Sequence, residues 1–411
     1  MPQDARVRQR TGTGAGLLLV LVLAAVLLTA FPHYHHREGG GTCAPRTVGS
    51  WAADRRLTDA FARYGDDATR TDDWTGGDGT HSVRLPDGRV LWLFSDTYLG
   101  RVHAPPDPAG GSAAWRDATA PLVRNSAVMT NPAGRPESTL PAPVFPDPAP
   151  DQWRWPVAAR VEPRSPGSRE QVVRVLLWVR TAGPAPWIYG VPTATEVATL
   201  SLPGLLVESV VRVIDQQLVP DASRRVLFGT TLVARGGWTY VFGGDDGQAV
   251  SRPVSSAYLA RVPEGQLGEP GAWRYWNGSG WAAGGAGLRP VLGDGRHTGV
   301  GSAFSVVPDG GTYLLFTMAA GVRGLTTVTS YWACSPTGPW YGPAGDFRPP
   351  LPRGRVTAYN PQVHPALSGG GRLVLSYDVN WLDPATAAAG VNGDVSRYRP
   401  RFVTLRPVPA R

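Results

Sequence analysis

Two aspartates, Asp78 in the run TGGDGT and Asp96 in WLFSDTY, carry the strongest chemical signal in the chain. Two carboxyl groups flanking one glycosidic bond can cleave it, one protonated to release the leaving oxygen and one ionised to activate water or attack carbon. Apolar Trp92, Leu93 and Phe94 precede Asp96 and could raise its carboxyl pKa, which suits the acid. Glycines around Asp78 permit close approach and solvation, which suits the ionised partner, although the two roles could be reversed. The plainer reading has Asp78 capping a turn and Asp96 satisfying backbone amides.

The elements between them read as a hairpin. His81–Leu85 and Val90–Phe94 are short apolar, β-branched and aromatic runs, and Asp87-Gly88 between them is a strong turn signal. A two-residue turn pairs Leu85 with Val90 and sets Gly79 opposite Asp96 and Asp78 opposite Thr97. Both carboxyls then reach the same end, although Pro86 could shift the register by one residue.

The hairpin recurs. RLPDGRVLWLFSD, LVARGGWTYVFGG, VVPDGGTYLLFTM and ALSGGGRLVLSYD align without gaps on Gly88, Gly236, Gly310 and Gly370. The first interval is twice the second, so one more unit belongs inside it; Val172–Arg180 and Trp187–Val191 supply strands for it. Five units of this size predict an all-β, five-bladed β-propeller, a ring in which each hairpin buries its apolar face against its neighbours. The alternating run Tyr398–Val408 could close the ring by completing the first blade. A β-sandwich is the competing architecture.

Composition narrows the function. The 411 residues include 51 glycines and 40 prolines, the punctuation of short strands and turns, while 42% hydrophobic residues can fill a core. The net charge of +8 comes from arginine alone, since the chain has no lysine. That excludes a Walker A lysine, a pyridoxal Schiff base and a kinase-type lysine. The arginines form no basic run, so nucleic acid is not an expected partner. A nucleophile elbow, a zinc-protease helix and paired C-x-x-C motifs are also missing from the sequence.

At the N-terminus, Arg6, Arg8 and Arg10 precede an apolar run, the pattern of an export signal. We read 1–15 as a cytoplasmic segment, 16–31 as a signal anchor or signal peptide, 32–56 as a flexible stalk and 57–411 as the propeller. The protein is thus expected at the cell membrane with an extracytoplasmic domain, or secreted if the signal is cleaved. His33, His35 and His36 fall in the stalk and need no metal to explain them. Cys43 and Cys334, the only two cysteines, would both be exported, where a disulfide could join the chain's start to a late repeat.

These residues also carry a family resemblance. WTGGDGTHSVRLPDGRVLWLFSDTYLG, the NSAV at Asn125–Val128, YLARVP with WRYWNGSGW, SPTGPW, and YNPQVHPALS with LSYDVN resemble proteins grouped as domains of unknown function 4185 and 5005. Some of the former are placed in glycoside hydrolase family 183, five-bladed propellers acting as endo-D-arabinanases on cell-envelope arabinans. The resemblance implies a similar fold over roughly Leu57 to Val408, Asp78 and Asp96 as the acidic pair, and an inverting reaction on a polysaccharide. The alternative is a non-catalytic carbohydrate-binding or adhesion propeller.

Supporting residues are expected from the matching phase of other repeats. Asp378 occupies the position of Asp96 in the last repeat, and Asp245 and Asp246 follow it in the third. Asn125, His297, Asn360 and His364 could bind sugar hydroxyls, and Trp74, Tyr98 and Tyr359 could stack on sugar rings. The partners expected are a glycan substrate and, through the N-terminal segment, the membrane, with the protein a monomer. No cofactor is called for, although oxygen ligands near the axis would suit a structural calcium ion.

Overall fold

The computed structural model describes residues 43–71, 73–185, 187–245, 254–294, 296–318, 327–354, 356–381 and 386–410. The N-terminal arginines, the apolar run, the histidine tract and Asp246 lie outside the described residues. Among the described residues no helix is long and apolar enough to cross a membrane.

The chain enters through strand β1 (Arg46–Ala53) and helix α1 (Arg55–Gly65). Asp54 caps the helix, its side chain accepting from the Leu57 amide, and Leu57 and Phe61, one turn apart, point into the core. A first group of strands follows: β2 (Asp73–Gly77), β3 (His81–Arg84), β4 (Val90–Phe94), β5 (Thr97–Gly100), β6 (Val102–His103), β7 (Trp115–Arg116), β8 (Leu122–Val123), β9 (Ser126–Thr130) and β10 (Pro136–Thr139). Of these, β3, β4, β9 and β10 form the first main sheet, and β2, β5 and β8 a small sheet beside it.

The second sheet is a meander of β11 (Gln152–Pro163), β12 (Gln171–Thr181), β13 (Val191–Leu200) and β14 (Val207–Asp215). The third holds β15 (Val226–Arg235), β16 (Trp238–Asp245), β17 (Ala257–Pro263), β18 (Arg274–Trp276) and β19 (Trp281–Ala283). In the fourth are β20 (Phe304–Asp309), β21 (Thr312–Met318), β22 (Val328–Ala333) and β23 (Tyr341–Phe347). The fifth takes β24 (Val356–Val363), β25 (Leu373–Trp381) and, after helix α2 (Ala387–Gly393), β26 (Arg401–Pro409).

Apolar alternation along these strands is spent between sheets. Each large hydrophobic cluster spans two sheets consecutive in the chain, as where Val83 and Leu91 of the first meet Val173 and Val175 of the second. The same holds from second to third, third to fourth and fourth to fifth. The cluster of Phe61, Trp92, Val374 and Phe402 joins the fifth back to the first. Along the inner edge β3 touches β11, β11 touches β15, β15 touches β20 and β20 touches β24. Ser82 Oγ meets His364 Nδ1 at 2.7 Å across the remaining gap.

Four expectations are revised. The β3–β4 register pairs Arg84 with Val90, one residue from the two-residue-turn count. Leu85 and Arg89 close a three-residue loop instead, with Pro86 and Asp87 as turn centre and Gly88 left-handed at φ 87°, because proline pre-sets the first position of a type I turn. Trp187–Gly190 forms a turn, and the second sheet draws its strands from either side of it. Finally, β26 pairs with β25 in the last sheet and not with the first. It is β1, read as stalk, that adds the outermost strand beside β26. An unpaired β26 edge would otherwise expose a full row of backbone donors and acceptors.

The two cysteines form a Cys43–Cys334 disulfide, tying the start of β1 to the end of β22. It joins residues 291 apart in sequence.

Candidate functional site

The shifted register brings the two acids face to face. The Asp78 amide donates to the Asp96 carbonyl at 3.2 Å, and the Ser95 amide to the Asp78 carbonyl at 2.7 Å. Between β2 and β3 the chain must turn within van der Waals contact of Ser95, and Gly79 allows it. Its φ is 65°, and a Cβ there would lie 2.2 Å from Ser95 Oγ. Gly76 is equally confined, since a Cβ would lie 2.4 Å from the Tyr398 carbonyl oxygen.

Asp78 is half-buried and receives the Tyr359 hydroxyl at 2.6 Å on Oδ2. Tyr398 is a second hydroxyl partner. Burial, followed by the neighbouring charges of Asp96 and Asp378, pushes the Asp78 carboxyl well above the ordinary carboxylate range. Asp96 keeps 23% of its side chain exposed. It accepts from Trp155 Nε1 at 2.8 Å and from Arg124 at 3.3 Å on both oxygens. Burial raises its pKa too, opposed by the Arg124 charge and the indole hydrogen bond. The two environments therefore differ in the sense opposite to the sequence expectation: burial and two neighbouring carboxyls favour the protonated form of Asp78, whereas Arg124 and the Trp155 indole oppose the rise at Asp96.

Asp378 lies beneath this pair, 1% exposed. It accepts from the Gly79 amide (2.8 Å), the Thr80 amide (3.3 Å), Thr80 Oγ1 (2.6 Å) and Asn360 Nδ2 (2.7 Å). Burial raises its pKa to about 6 against those four donors. So saturated, it fastens the Asp78–Thr80 turn of the first sheet to the last sheet and offers little to a ligand. β24 supplies the fastening through a bulge between Tyr359 and Gln362. There Asn360 adopts φ 52°, a left-handed conformation asparagine tolerates, so that Tyr359 meets Asp78 while Asn360 meets Asp378.

Tyr98 is half-buried, with the Arg116 guanidinium 4.3 Å over its ring and Tyr398 edge-on at 5.8 Å. Arg116 is 2% exposed; its described partners are Thr75 Oγ1, Asn392 Oδ1 and the Val391 carbonyl. Burial and the Arg399 charge lower its pKa to about 9. The arginine supports the Tyr98–Tyr398 pair from behind and so the hydroxyl on Asp78.

Other expected ligands are placed differently. Trp74 is fully buried against Phe61 and Phe94, out of reach of any sugar, because its alternate position in β2 faces the core under α1. Asn125 is also fully buried; it donates to the Phe145 and Arg154 carbonyls and accepts the Phe145 amide, tying loops together. His364, 1% exposed between Trp92 and Phe402, is kept neutral by burial, which lowers its pKa to about 3. Asp245 is buried and accepts the Ser256 amide, while His297 sits in an exposed loop ordered by Asp294. Trp155, Arg124, Tyr398 and Arg116 escaped the sequence reading because they come from strands and loops outside the aligned hairpin phase. Only WRW at Trp153–Trp155, polar and aromatic just before an apolar strand, hints at a surface role.

Among the described residues no cluster of three or more histidine, cysteine or acidic side chains could hold a metal ion. The open chemistry is that of two carboxyls with distinct environments.

The fold as a whole is shared with a Bacteroides ovatus protein provisionally described as a hydrolase. That structure is 17% identical, with a TM-score of 0.64 over 88% of this chain and 93% of the other. By sequence the chain belongs to the family described as "Domain of unknown function (DUF5005)", whose profile matches residues 61–407. Among more distant structures, an α-L-arabinofuranosidase from Podospora anserina is 13% identical over 81% of this chain and 92% of its own, with a TM-score of 0.47. A β-xylosidase/α-arabinofuranosidase from a compost metagenome is 13% identical over 83% and 93%, with a TM-score of 0.44. These two likenesses are too remote to carry an argument. No curated protein matches the sequence.

Proposed function

We propose that this protein is a glycoside hydrolase acting on a polysaccharide, with Asp78 as the acid and Asp96 as the base. The observation that carries this reading is the pairing of the two carboxyls at one site with environments that push their proton affinities apart. Asp78 gives its proton to the oxygen of the departing sugar as the bond from C1 breaks. Asp96 takes a proton from the water whose oxygen forms the new bond to C1, so charge and atoms balance. Asp78 is recharged from solvent when Asp96 loses its proton.

The consecutive sheets, each packed on the next and the last on the first, support a five-bladed propeller as the frame. The Bacteroides ovatus likeness accords with hydrolysis. The family 183 resemblance favours D-arabinan of the cell envelope and inversion of configuration. The N-terminal pattern favours an extracytoplasmic protein.

The test is product analysis on purified arabinan, xylan and galactan with the parent, Asp78→Asn and Asp96→Asn. We expect oligosaccharides from the parent and a loss of at least about a thousandfold in kcat from either variant, since each removes one half of the proton transfer. Parental rates in both variants would move the chemistry elsewhere; a parent that binds without cleaving would make the protein a lectin-like propeller.

A further inference from the structure

Next to Asp96 stand aromatic side chains that the hydrolytic pair does not use. Trp155 contacts Asp96 through its indole N–H and stands 5.8 Å from Trp153, ring centroid to centroid, both half-buried at the entry of β11. The Trp187–Gly190 turn packs on the far edge of Trp153 so closely that a Cβ on Gly190 would lie 2.5 Å from the indole. Arg180 holds that turn by donating to the Gly190 carbonyl at 2.9 Å and the Tyr189 carbonyl at 3.3 Å. Its guanidinium also lies 5.2 Å over Trp155. At the end of the row Ile188 and Tyr189 are 69% and 57% exposed.

Resting on the hydrolase reading, we infer that Trp155, Trp153 and the Ile188–Tyr189 turn form a shelf for the sugar residues next to the cleavage point of a neutral polysaccharide. Aromatic rings give such a chain broad apolar contact at little conformational cost, and large exposed apolar groups in a row mark binding surfaces. Neutrality follows from where the nearby cations are spent. Arg124 lies 4.7 Å over Trp153 with its charge on Asp96, and Arg180 serves two backbone carbonyls. The occupant is fixed by continuity: a chain bound across Asp96 must pass over Trp155 and Trp153 if it extends on that side.

The experiment measures binding in an Asp78→Asn background, using arabinan, xylan, galactan and their oligosaccharides from the disaccharide upward. Affinity for at least one series should rise with chain length. Trp153→Ala should flatten that rise and cost roughly tenfold on the longest member, the effect of about 1.4 kcal/mol of stacking. Trp153→Phe should restore most of it, and Tyr189→Ala should act only on the longer members. An unaltered length profile in a folded Trp153→Ala protein, or no length dependence in the Trp153 parent, would overturn the shelf. Because only binding is read, the result stands apart from whether Asp78 and Asp96 hydrolyse the bond.

Discussion

At the scale of single residues, the site is a study in what neighbours do to identical carboxyls. Asp78, Asp96 and Asp378 are all aspartates partly or wholly removed from water, yet each has different company: tyrosine hydroxyls and two like charges, an arginine with an indole, or four converging donors. A pH profile follows. Under the proposed roles activity requires Asp96 ionised and Asp78 protonated, so kcat/KM should climb as pH rises through the Asp96 value, above the usual 3.8, and fall again through the higher Asp78 value. Removing Arg124 with Arg124→Met should move the acidic limb upward, as Asp96 loses its cation. Stability should run the other way for Asp78. A carboxyl whose folded pKa is raised favours the folded state while protonated and opposes it as pH rises through that value. Melting curves should therefore show Asp78→Asn gaining on the parent with increasing pH; a gain that shrinks would contradict the raised pKa.

At the scale of elements, the hairpin and the bulged strand β24 decide where those carboxyls stand. The type I turn with Gly88 left-handed slips the β3–β4 pairing by one, bringing Asp78 into backbone contact with Asp96. Gly79 then lets the chain pass Ser95. Alanine there would strain a left-handed backbone and collide with Ser95, so we expect Gly79→Ala to cost roughly a hundredfold in activity through displacement of Asp78, against about 1–3 kcal/mol in stability. Parallel kinetics and thermal melts check this; undiminished turnover would show that the turn has room to give. The spacing of glycine and aspartate was readable from the amino acids, as was the hairpin, but the bulge that turns Tyr359 toward Asp78 was not. A bulge depends on what the strand meets across the sheet, and β24 meets Asp378 of β25 there.

At the scale of the molecule, closure falls to the N-terminal strand. β1 lies outside β26 in the last sheet, and the Cys43–Cys334 bond fastens it to the fourth. A disulfide that closes a long loop stabilises largely by restricting the unfolded chain, by roughly 2–4 kcal/mol. Cys43→Ser should lower the melting temperature to match, and protein taken from intact cells should resist thiol labelling until reduced. Ready labelling without reduction would argue against an oxidising location and against the extracytoplasmic placement together.

What the sequence determined by itself was local or periodic: the all-β class from strand runs and turn glycines, the repeat from equal phase, and the two acids from their place at the ends of one hairpin. Those signals survive in one dimension because alternation and turn chemistry are set by neighbouring residues. The tertiary structure decided everything that depends on which strand lies beside which. It put Trp74, Asn125 and His364 in the interior, made Asp378 a brace, and raised the Asp78 carboxyl by burial and by two other carboxyls beside it. Burial and charge at a residue are sums over neighbours distant in the chain, and no local pattern encodes that sum.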